Sequence, residues 1–280
     1  SAKLQRPLKG STKLPKKEQR RWGTIGFMIA IHTLTIYGLL PKFWHWQSIT
    51  SLVVLYWVTA CLGVTIGYHR LLSHRSFHVP KWLERFFATC GALSAEYGPI
   101  EWVGLHRQHH KHTDKALDPQ NAKRGIWWSH IGWMFVRVPG EKRVRRYAGD
   151  MRRDPYFVWL DKYFLFLQIP LGLTLYLLGG WSYVLCGIFL RLVVVYHVKW
   201  LVNSATHTWG ERQFDTDDNS RNNKWVAALT FGEGWHNNHH AYPSSARQGL
   251  FKGQIDITWE HIRLLNALGL AKKIRLPIKP

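Results

Sequence analysis

Three long uncharged stretches dominate the hydrophobic pattern of the chain. Trp22–Leu40 has nineteen residues without Asp, Glu, Lys or Arg, which as a helix would measure about 28 Å, the thickness of a bilayer core. A second uncharged stretch runs from about 48 to 68. The third, 163–198, has one charge, at Arg191, and is too long for one span, while Gly179-Gly180 predicts a turn inside it. The pattern predicts an all-α integral membrane protein with four transmembrane helices, at about 22–40, 48–68, 163–178 and 181–198.

Polar residues are concentrated before, between and after these spans. Residues 1–21 are rich in Lys, Arg, Pro and Gly and are predicted to form a basic N-terminal arm on the membrane surface. Residues 22–280 are predicted to form a single domain. Its cytosolic helical cap is expected from 69–162 and 199–280. Within the cap, Leu83–Tyr97 predicts a buried or interfacial helix, and Ile255–Leu270 predicts an amphipathic helix.

The distribution of positive charge predicts the orientation of the spans. Of 38 Lys and Arg residues, eight lie in 1–21, seventeen in 69–162 and eleven in 199–280, while only Lys42 lies in a loop assigned to the other side. Because Lys and Arg are retained on the cytosolic side of membranes, both termini and the whole cap are predicted to be cytosolic in a multi-pass protein.

The composition of the chain mainly excludes certain classes of protein. A net charge of +21 is compatible with nucleic acid, an anionic membrane surface or an acidic protein partner. No nucleic-acid-binding motif is present, and sixteen Trp residues are typical of a protein at the water–lipid interface. The three cysteines lie in apolar sequence without a CxxC pair, which predicts buried thiols and no disulfide framework.

Histidines form clusters at the cap side of the predicted spans or within the cap. Two clusters have the spacing i, i+3, i+4, which places three imidazoles on one face of a helix. Another pair is five residues apart, about 140° around an ideal helix, so that either a bend or a helix end brings the two together or each serves a different metal. With four spans, all clusters fall on one side of the membrane. In chain order they are His69 and His74; His106, His109 and His110; Asn203 and His207; and His236, His239 and His240.

Nine histidines at these spacings predict a metal centre. They are too many for one ion, so two metals with four or five nitrogens each are expected, and neutral imidazole suits iron, copper, nickel or zinc. Asn203 is a candidate to contact a metal through water. Candidate carboxylates for orienting the rings are Glu101, Asp114 and Asp118. The other histidines are interpreted as ordinary core or surface residues: His32, His45, His78, His130, His197 and His261.

The clusters resemble the three histidine boxes of the membrane-bound fatty acyl desaturases, which occur in the order HxxxxH, HxxHH and HxxHH. The similarity covers about 63–277, and the sequence between the boxes is similar to the delta-9 branch, which includes stearoyl-CoA desaturase and the cyanobacterial and plastid acyl-lipid enzymes. The matching segments are Gly67-Tyr-His-Arg-Leu, Ser73-His-Arg-Ser-Phe, Arg124-Gly-Ile-Trp-Trp-Ser-His130, Asn203-Ser-Ala-Thr-His207 and Gly232-Glu-Gly-Trp-His236.

The resemblance implies a di-iron oxidoreductase of lipid metabolism with four spans and a cytosolic cap. It implies that the nine clustered histidines bind two Fe ions, that Asn203 holds a metal-bound water, and that O₂ is the co-substrate. It also implies ferredoxin or cytochrome b5 as the electron donor, which a basic cap would attract. The membrane would be a cyanobacterial plasma or thylakoid membrane, a plastid membrane or the endoplasmic reticulum.

The implied substrate is a saturated acyl chain carried by a membrane glycerolipid or by CoA. Animal acyl-CoA members have Arg-Asp before the second box, where this chain has Gly104 and Leu105. Gln254-Ile-Asp-Ile-Thr-Trp259 and Ser245-Ala-Arg-Gln-Gly249 are more similar to acyl-lipid members. A lipid-bound chain with a cis double bond at delta-9 is therefore expected. The candidates for the wall of its channel are Trp127 and Trp128.

Two other functions stay open on the sequence. A hydroxylase of a fatty acid or another lipid could use the same scaffold by returning oxygen to the carbon. A non-catalytic metal-binding membrane protein would place ionisable ligands inside the spans, whereas these clusters lie past the span ends.

Overall fold

The computed structural model describes residues 19–137 and 141–277, so residues 1–18 of the predicted basic arm lie outside it. The described chain is helical, and extended segments pair only in four isolated bridges. The predicted all-α fold is confirmed for this part of the chain.

The first two apolar stretches form helices joined by a short loop. α1 is Trp22–Gly38, and α2 is Trp46–Tyr56. α2 continues without a break as a π-helix, Trp57–Ser73, so that the whole helix has 28 residues. The prediction that this helix ends at residue 68 is wrong, because His69 and the four residues after it are wound into its last turn.

The environment of this long helix changes along its length. Val53 and Val54 in α2 are 59% and 50% exposed, as side chains that face lipid are, whereas every residue from Gly63 to Ser73 is buried. α3 (Lys81–Ala92) packs against the buried part, and a Cβ at Gly63 would collide with the backbone of Cys90. The end of the helix is thereby enclosed by the cap.

The third apolar stretch belongs to one helical run, Pro155–His207. It begins with α7 (Pro155–Tyr163) and α8 (Gln168–Val184), with a 3₁₀ turn between them, and continues through a π-helical segment, Leu185–Leu190, into α9 (Arg191–Ser204).

The predicted break at the glycine pair is confirmed. Gly179 (φ −161°, ψ 21°) and Gly180 (φ 64°, ψ −154°) are not helical. Gly172 lies against Ile188, and Gly187 lies against Leu175. These contacts pair residues on the two sides of the break in antiparallel order, so the run is a helical hairpin.

Among the residues that the structure describes, two helices are long and apolar enough to cross a membrane, Trp46–Ser73 and the hairpin run Pro155–His207. Large aromatic side chains are exposed near helix ends, at Trp22, Trp46 and Trp181, as is typical of a membrane interface. Both features are those expected of a membrane protein.

The cap is built from short helices around the buried end of the long helix. They are α4 (Pro99–His112), α5 (Ile126–His130), α6 (Glu141–Tyr147), α10 (Lys224–Leu229), α11 (His236–Ala241) and α12 (Ile257–Ala267). α3 and α12 correspond to the two helices predicted for the cap. One side of the π-helix packs with α4 and α7 through Tyr68 and Leu72, and another packs with α12 through Ile66 and Leu71.

The turn at Gly180 yields a test of the hairpin. The backbone conformation of Gly180, φ 64° and ψ −154°, is essentially restricted to glycine. A residue with a Cβ would be strained there, at a cost of about 1–3 kcal/mol. Gly180→Ala is expected to lower the unfolding midpoint measured in detergent, whereas Gly26→Ala, in the middle of exposed α1, should leave it unchanged or raise it. An unchanged midpoint for Gly180→Ala would argue against the hairpin turn.

Candidate metal centre

The nine clustered histidines meet in two groups inside the cap. One group contains five residues and the other contains four, and within each group one ring nitrogen per residue lies within 4.8 Å of every other. The first group is His69, His74, His106, His110 and His239, and the second is His109, His207, His236 and His240.

The two groups share the helices that carry them. α4 supplies His106 and His110 to the first group and His109 to the second. α11 supplies His239 to the first group and His236 and His240 to the second. The spacing i, i+3, i+4 therefore does not give each triplet to one metal, because neighbouring histidines point to different groups.

The HxxxxH pair converges because the helix that carries it is a π-helix. Its backbone bonds run from residue i to i+5, as from the His74 N–H to the His69 carbonyl at 3.2 Å, so residues five apart lie one above the other. The two imidazole centroids are 4.9 Å apart. His74 is the C-cap of this helix, so the helix end expected from the sequence is present, together with the change of helix type.

The ring nitrogens are as close as ligands of one ion. Nε2 of His74 lies 2.7 Å from Nε2 of His106, and Nε2 of His239 lies 2.9 Å from Nε2 of His110. In the second group, Nε2 of His236 and His207 are 3.1 Å apart. Two nitrogens bound at right angles to one ion at about 2.1 Å would be about 3 Å apart. The residues present therefore fit two metal ions.

Carboxylates hold several of these rings from behind. His109 donates from Nδ1 to Asp118 at 2.9 Å, and His240 donates from Nδ1 to Asp218 at 2.7 Å. Asp114 lies 3.5 Å from Nδ1 of His207, and Glu233 contacts Nδ1 of His69. Such bonds fix the tautomer and leave Nε2 for a metal. Nε2 of His240 is buried without a hydrogen-bond partner among the described residues.

A family model for fatty acid desaturases matches residues 44–268, which contain both histidine groups and all of their carboxylate partners. The chain belongs to the fatty acid desaturase family. The enzyme is therefore an oxidoreductase of lipid metabolism.

Individual relatives agree with this assignment. The desaturase is 53% identical over 260 residues to the sn-2 palmitoyl-lipid 9-desaturase of Nostoc sp. (strain 36), with 91% of this chain and 90% of that protein covered. It is 49% identical over 263 residues to the sn-1 stearoyl-lipid 9-desaturase of Anabaena variabilis, with 94% and 97% covered. It is 42% identical over 266 residues to the chloroplastic palmitoyl-monogalactosyldiacylglycerol delta-7 desaturase of Arabidopsis thaliana, with 92% and 71% covered.

The environment of the desaturase site keeps most rings neutral. Burial, followed by the neighbouring imidazoles, lowers the pKa of His106, His110 and His239 well below its ordinary value. A metal ligand must be deprotonated, so this effect prepares the nitrogens for binding. At His109 burial also lowers the pKa, but Asp118 outweighs it and the pKa is raised, which makes that ring the more basic donor.

Residues between the histidines lock the boxes into the cap. Arg70 is fully buried and donates to Glu233 at 3.2 and 3.0 Å and to Asp256 at 2.9 Å, so it fixes the carboxylate that contacts His69. Arg107 donates to the carbonyls of Leu72 and Ser73 and to both carboxylate oxygens of Asp150. The first two boxes are tied together by this guanidinium.

The third box is fixed by its two asparagines. Oδ1 of Asn237 accepts hydrogen bonds from the backbone N–H groups of Gln213 and Phe214, each at 2.8 Å. Asn238 accepts from Asn222 at 2.7 Å and donates to the Gln248 carbonyl at 2.8 Å. In every box, therefore, the histidines face inward and the intervening polar residues face the rest of the cap.

The other site predictions have different outcomes. Asp118 accepts from Nδ1 of His109, and Asp114 lies 3.5 Å from Nδ1 of His207, while the orienting role of Glu101 stays a prediction. Asn203 lies near the end of α9, one turn before His207, and its water-mediated role stays a prediction. Trp127 is 69% exposed, and Trp128 packs beneath the guanidinium of Arg124, so their place in the substrate channel also stays a prediction.

Sequence reasoning missed Glu233 and Asp218. Glu233 stands in the segment Gly232–His236, and Asp218 stands in the acidic run 215–218, but nothing in the nearby sequence relates either one to its histidine.

Three histidines that the sequence analysis interpreted as ordinary residues form a row in the structure. Nε2 of His197 lies 3.0 Å from Nε2 of His32, and Nδ1 of His197 lies 3.1 Å from Nε2 of His130. Nδ1 of His130 in turn contacts Oγ of Ser204. The row joins α1, α5 and α9.

The carboxylate behind His240 can be tested directly. Asp218→Asn keeps the shape of the side chain but weakens its bond to Nδ1 of His240, so metal affinity should fall by about 10–100-fold. A chelator competition on the purified protein measures this change. Asp215→Asn is the matched control, because the Asp215 side chain is fully exposed on the same loop. Equal metal affinity in both variants would contradict the role of Asp218.

Proposed function

We propose that this desaturase introduces a cis double bond at delta-9 of a saturated acyl chain esterified in a membrane glycerolipid. The observation that carries the proposal is the assembly of nine histidines into two metal-sized groups. The relatives from Nostoc and Anabaena, which are named as lipid 9-desaturases, support the lipid-bound substrate and the position of the double bond.

We assign two iron ions and O₂ to the two histidine groups. The substrate bond is an unactivated C–H, which no side-chain acid or base can break. The chemistry supplied by reduced iron and O₂ is the removal of two hydrogens from adjacent carbons, with two electrons and two protons completing the reduction of O₂ to two waters. The protein contributes neutral nitrogen donors, rings fixed by carboxylates, and burial that excludes bulk water.

The acyl chain needs an apolar path to this site. A narrow cavity of about 20 Å³ lies between the long helix, α9 and the loop before α11, and its lining includes Glu233, the carboxylate that contacts His69. Its wall includes Tyr56, Ala60, Val195 and Phe231. We propose that the methylene chain passes through this cavity, so that the wall determines which pair of carbons reaches the histidines.

A larger apolar groove of about 440 Å³ runs along α2 from Trp46 to Leu55 and is also lined by Leu178. Leu55 precedes His69 by fourteen helical residues, so the near end of the groove is about 20 Å from the metal centre. The small cavity is therefore the better candidate for the reactive part of the chain.

We further propose four membrane spans, formed by α1, the long helix that begins at Trp46, and the two arms of the hairpin. Residues 22–280 would form one domain behind a basic arm, 1–21, with the cap and both termini in the cytosol. The excess of Lys and Arg in the cap and terminal segments supports this orientation. The same positive surface would attract an acidic electron donor, ferredoxin or cytochrome b5.

Product analysis tests the reaction. The protein is expressed with ferredoxin in a host that lacks the activity, and total fatty acids are analysed by gas chromatography and mass spectrometry beside a His239→Ala control. New monounsaturated chains with the double bond at delta-9 are expected from the wild type alone. A hydroxylated product would show that the same site catalyses hydroxylation and not desaturation. No new product, with iron loaded and the donor active, would exclude an acyl substrate.

The cavity yields a separate prediction. Ala60→Phe fills a cavity of about 20 Å³ with a side chain that blocks the chain's path, so product formation should fall by at least about tenfold while bound metal is unchanged. Ala30→Phe, at an exposed position of α1, is the matched control and should retain activity. Full activity in Ala60→Phe would show that the acyl chain takes another path.

A further inference from the structure

A positively charged side chain lies in the wall of the narrow acyl cavity. Lys199 of α9 lines this cavity beside Val195, Val202 and Glu233. Its side chain is half-buried, and its ammonium group makes no hydrogen bond or ion pair with the residues that the structure describes. An ammonium group is unfavourable in such a place, and an acyl chain gains nothing from a cation beside it. The charge therefore serves another purpose.

The ammonium group lies over an indole ring. Nζ of Lys199 is 4.2 Å from the centroid of the Trp102 ring, which is within the range of a cation–π interaction. Burial disfavours the charged form of this amine, whereas the carboxylates of Glu96 and Glu233 favour it. The two carboxylates thus act to keep a positive charge on the face of the indole.

Trp102 stands directly behind a histidine of the first metal group. Its ring is stacked on that of His106, with the centroids 5.2 Å apart and the planes at 18°, and its centroid is 6.4 Å from that of His69. Among the described ring contacts of the nine clustered histidines, it is the one tryptophan or tyrosine. Chemistry that removes hydrogen from an unactivated C–H bond is also strong enough to oxidise an indole, so Trp102 is the side chain most at risk.

The hydrogen bond of Trp102 increases this risk. Nε1 donates to Oε2 of Glu96 at 2.9 Å, and Oε1 of Glu96 accepts from Nε1 of Trp200 at 3.3 Å. A carboxylate at the indole N–H stabilises positive charge that develops on the ring during oxidation. The ammonium group of Lys199 has the opposite effect, because it repels a second positive charge at 4.2 Å.

We propose that Lys199 protects Trp102 from oxidation at the metal centre, so that the oxidising power is spent on the acyl chain. The inference rests on the proposed function, since it assumes O₂ chemistry at the histidine groups. Lys199 acts through the indole and does not itself bind metal or substrate.

The suppressed side reaction inserts one oxygen atom of O₂ into a C–H bond of the indole. The other oxygen atom takes up two electrons and two protons and leaves as water. These electrons are the ones that the donor protein supplies for desaturation, so each such event consumes reductant without forming a double bond.

Oxidation of Trp102 is measured by peptide mass spectrometry on the full-length, iron-loaded protein after incubation with O₂ and reduced ferredoxin. The readout is the fraction of Trp102 that has gained one oxygen atom, divided by the O₂ consumed. Lys199→Met removes the charge and keeps the length of the side chain, and should raise this ratio by about tenfold. Lys199→Arg keeps the charge and should remain close to the wild type.

Lys224→Met is the matched control. It removes a cation 5.5 Å from the ring of the exposed Trp225 and should leave oxidation of Trp102 unchanged. Lys199→Met should bind as much iron as the wild type, with an equal or higher unfolding midpoint, because Lys199 bonds to no described residue. These two readouts separate protection of the indole from a structural role.

Equal oxidation of Trp102 in the wild type and in Lys199→Met would overturn the proposal, and so would an equal rise in Lys199→Met and Lys199→Arg. A loss of double-bond formation in Lys199→Met without added oxidation of Trp102 would also overturn it, since the lysine would then act on the reaction itself. Hydrogen peroxide is the second oxidant, because it gives one oxygen atom to the indole and leaves as water without an electron donor. A wild type that forms no double bond would overturn the proposed reaction, while the peroxide comparison still decides the role of Lys199.

Discussion

Nine imidazole rings whose nitrogens lie within 4.8 Å of one another in each of two groups need partners that aim them from behind. Burial removes the water that would otherwise satisfy the rings, and their lone pairs repel one another until a cation lies between them. The carboxylates of Glu233, Asp118 and Asp218 meet this constraint, since each contacts an Nδ1 and so directs Nε2 into the site. These acids are themselves buried or nearly so, and one of them is held by the buried guanidinium of Arg70.

Much of the cap follows from that requirement. The long helix extends beyond its lipid-facing part as a π-helix, which brings His69 and His74 to one side. Arg107 then ties the end of this helix to α4, and Asn238 ties α11 to the loops behind it. The four histidine-bearing segments are thus joined by polar bonds, while apolar contacts of the π-helix on two sides hold the cap together.

The local patterns of the sequence predicted the main helices and the nine histidines that meet in the structure. The histidine triplets of α4 and α11 have helical spacing, and the pair Gly179-Gly180 inside an apolar stretch indicates a turn. The end of the long helix was predicted too early, because no propensity rule distinguishes a π-helix from the start of a loop. Glu233 was not found, since its bond to Arg70 joins residues 163 positions apart. Pairings at that distance are decided by tertiary packing, which a single sequence does not display.

The iron content of the full-length protein, purified from iron-supplied cells, tests the two-group assignment most directly. His74→Ala removes a ligand of the first group only, and His236→Ala removes a ligand of the second group only. The predicted result is two iron ions per chain in the wild type and about one in each variant, with the double-bond-forming activity lost in both. A wild type that forms double bonds with a single iron, or variants that each retain two, would contradict the assignment of the nine histidines to two metal sites.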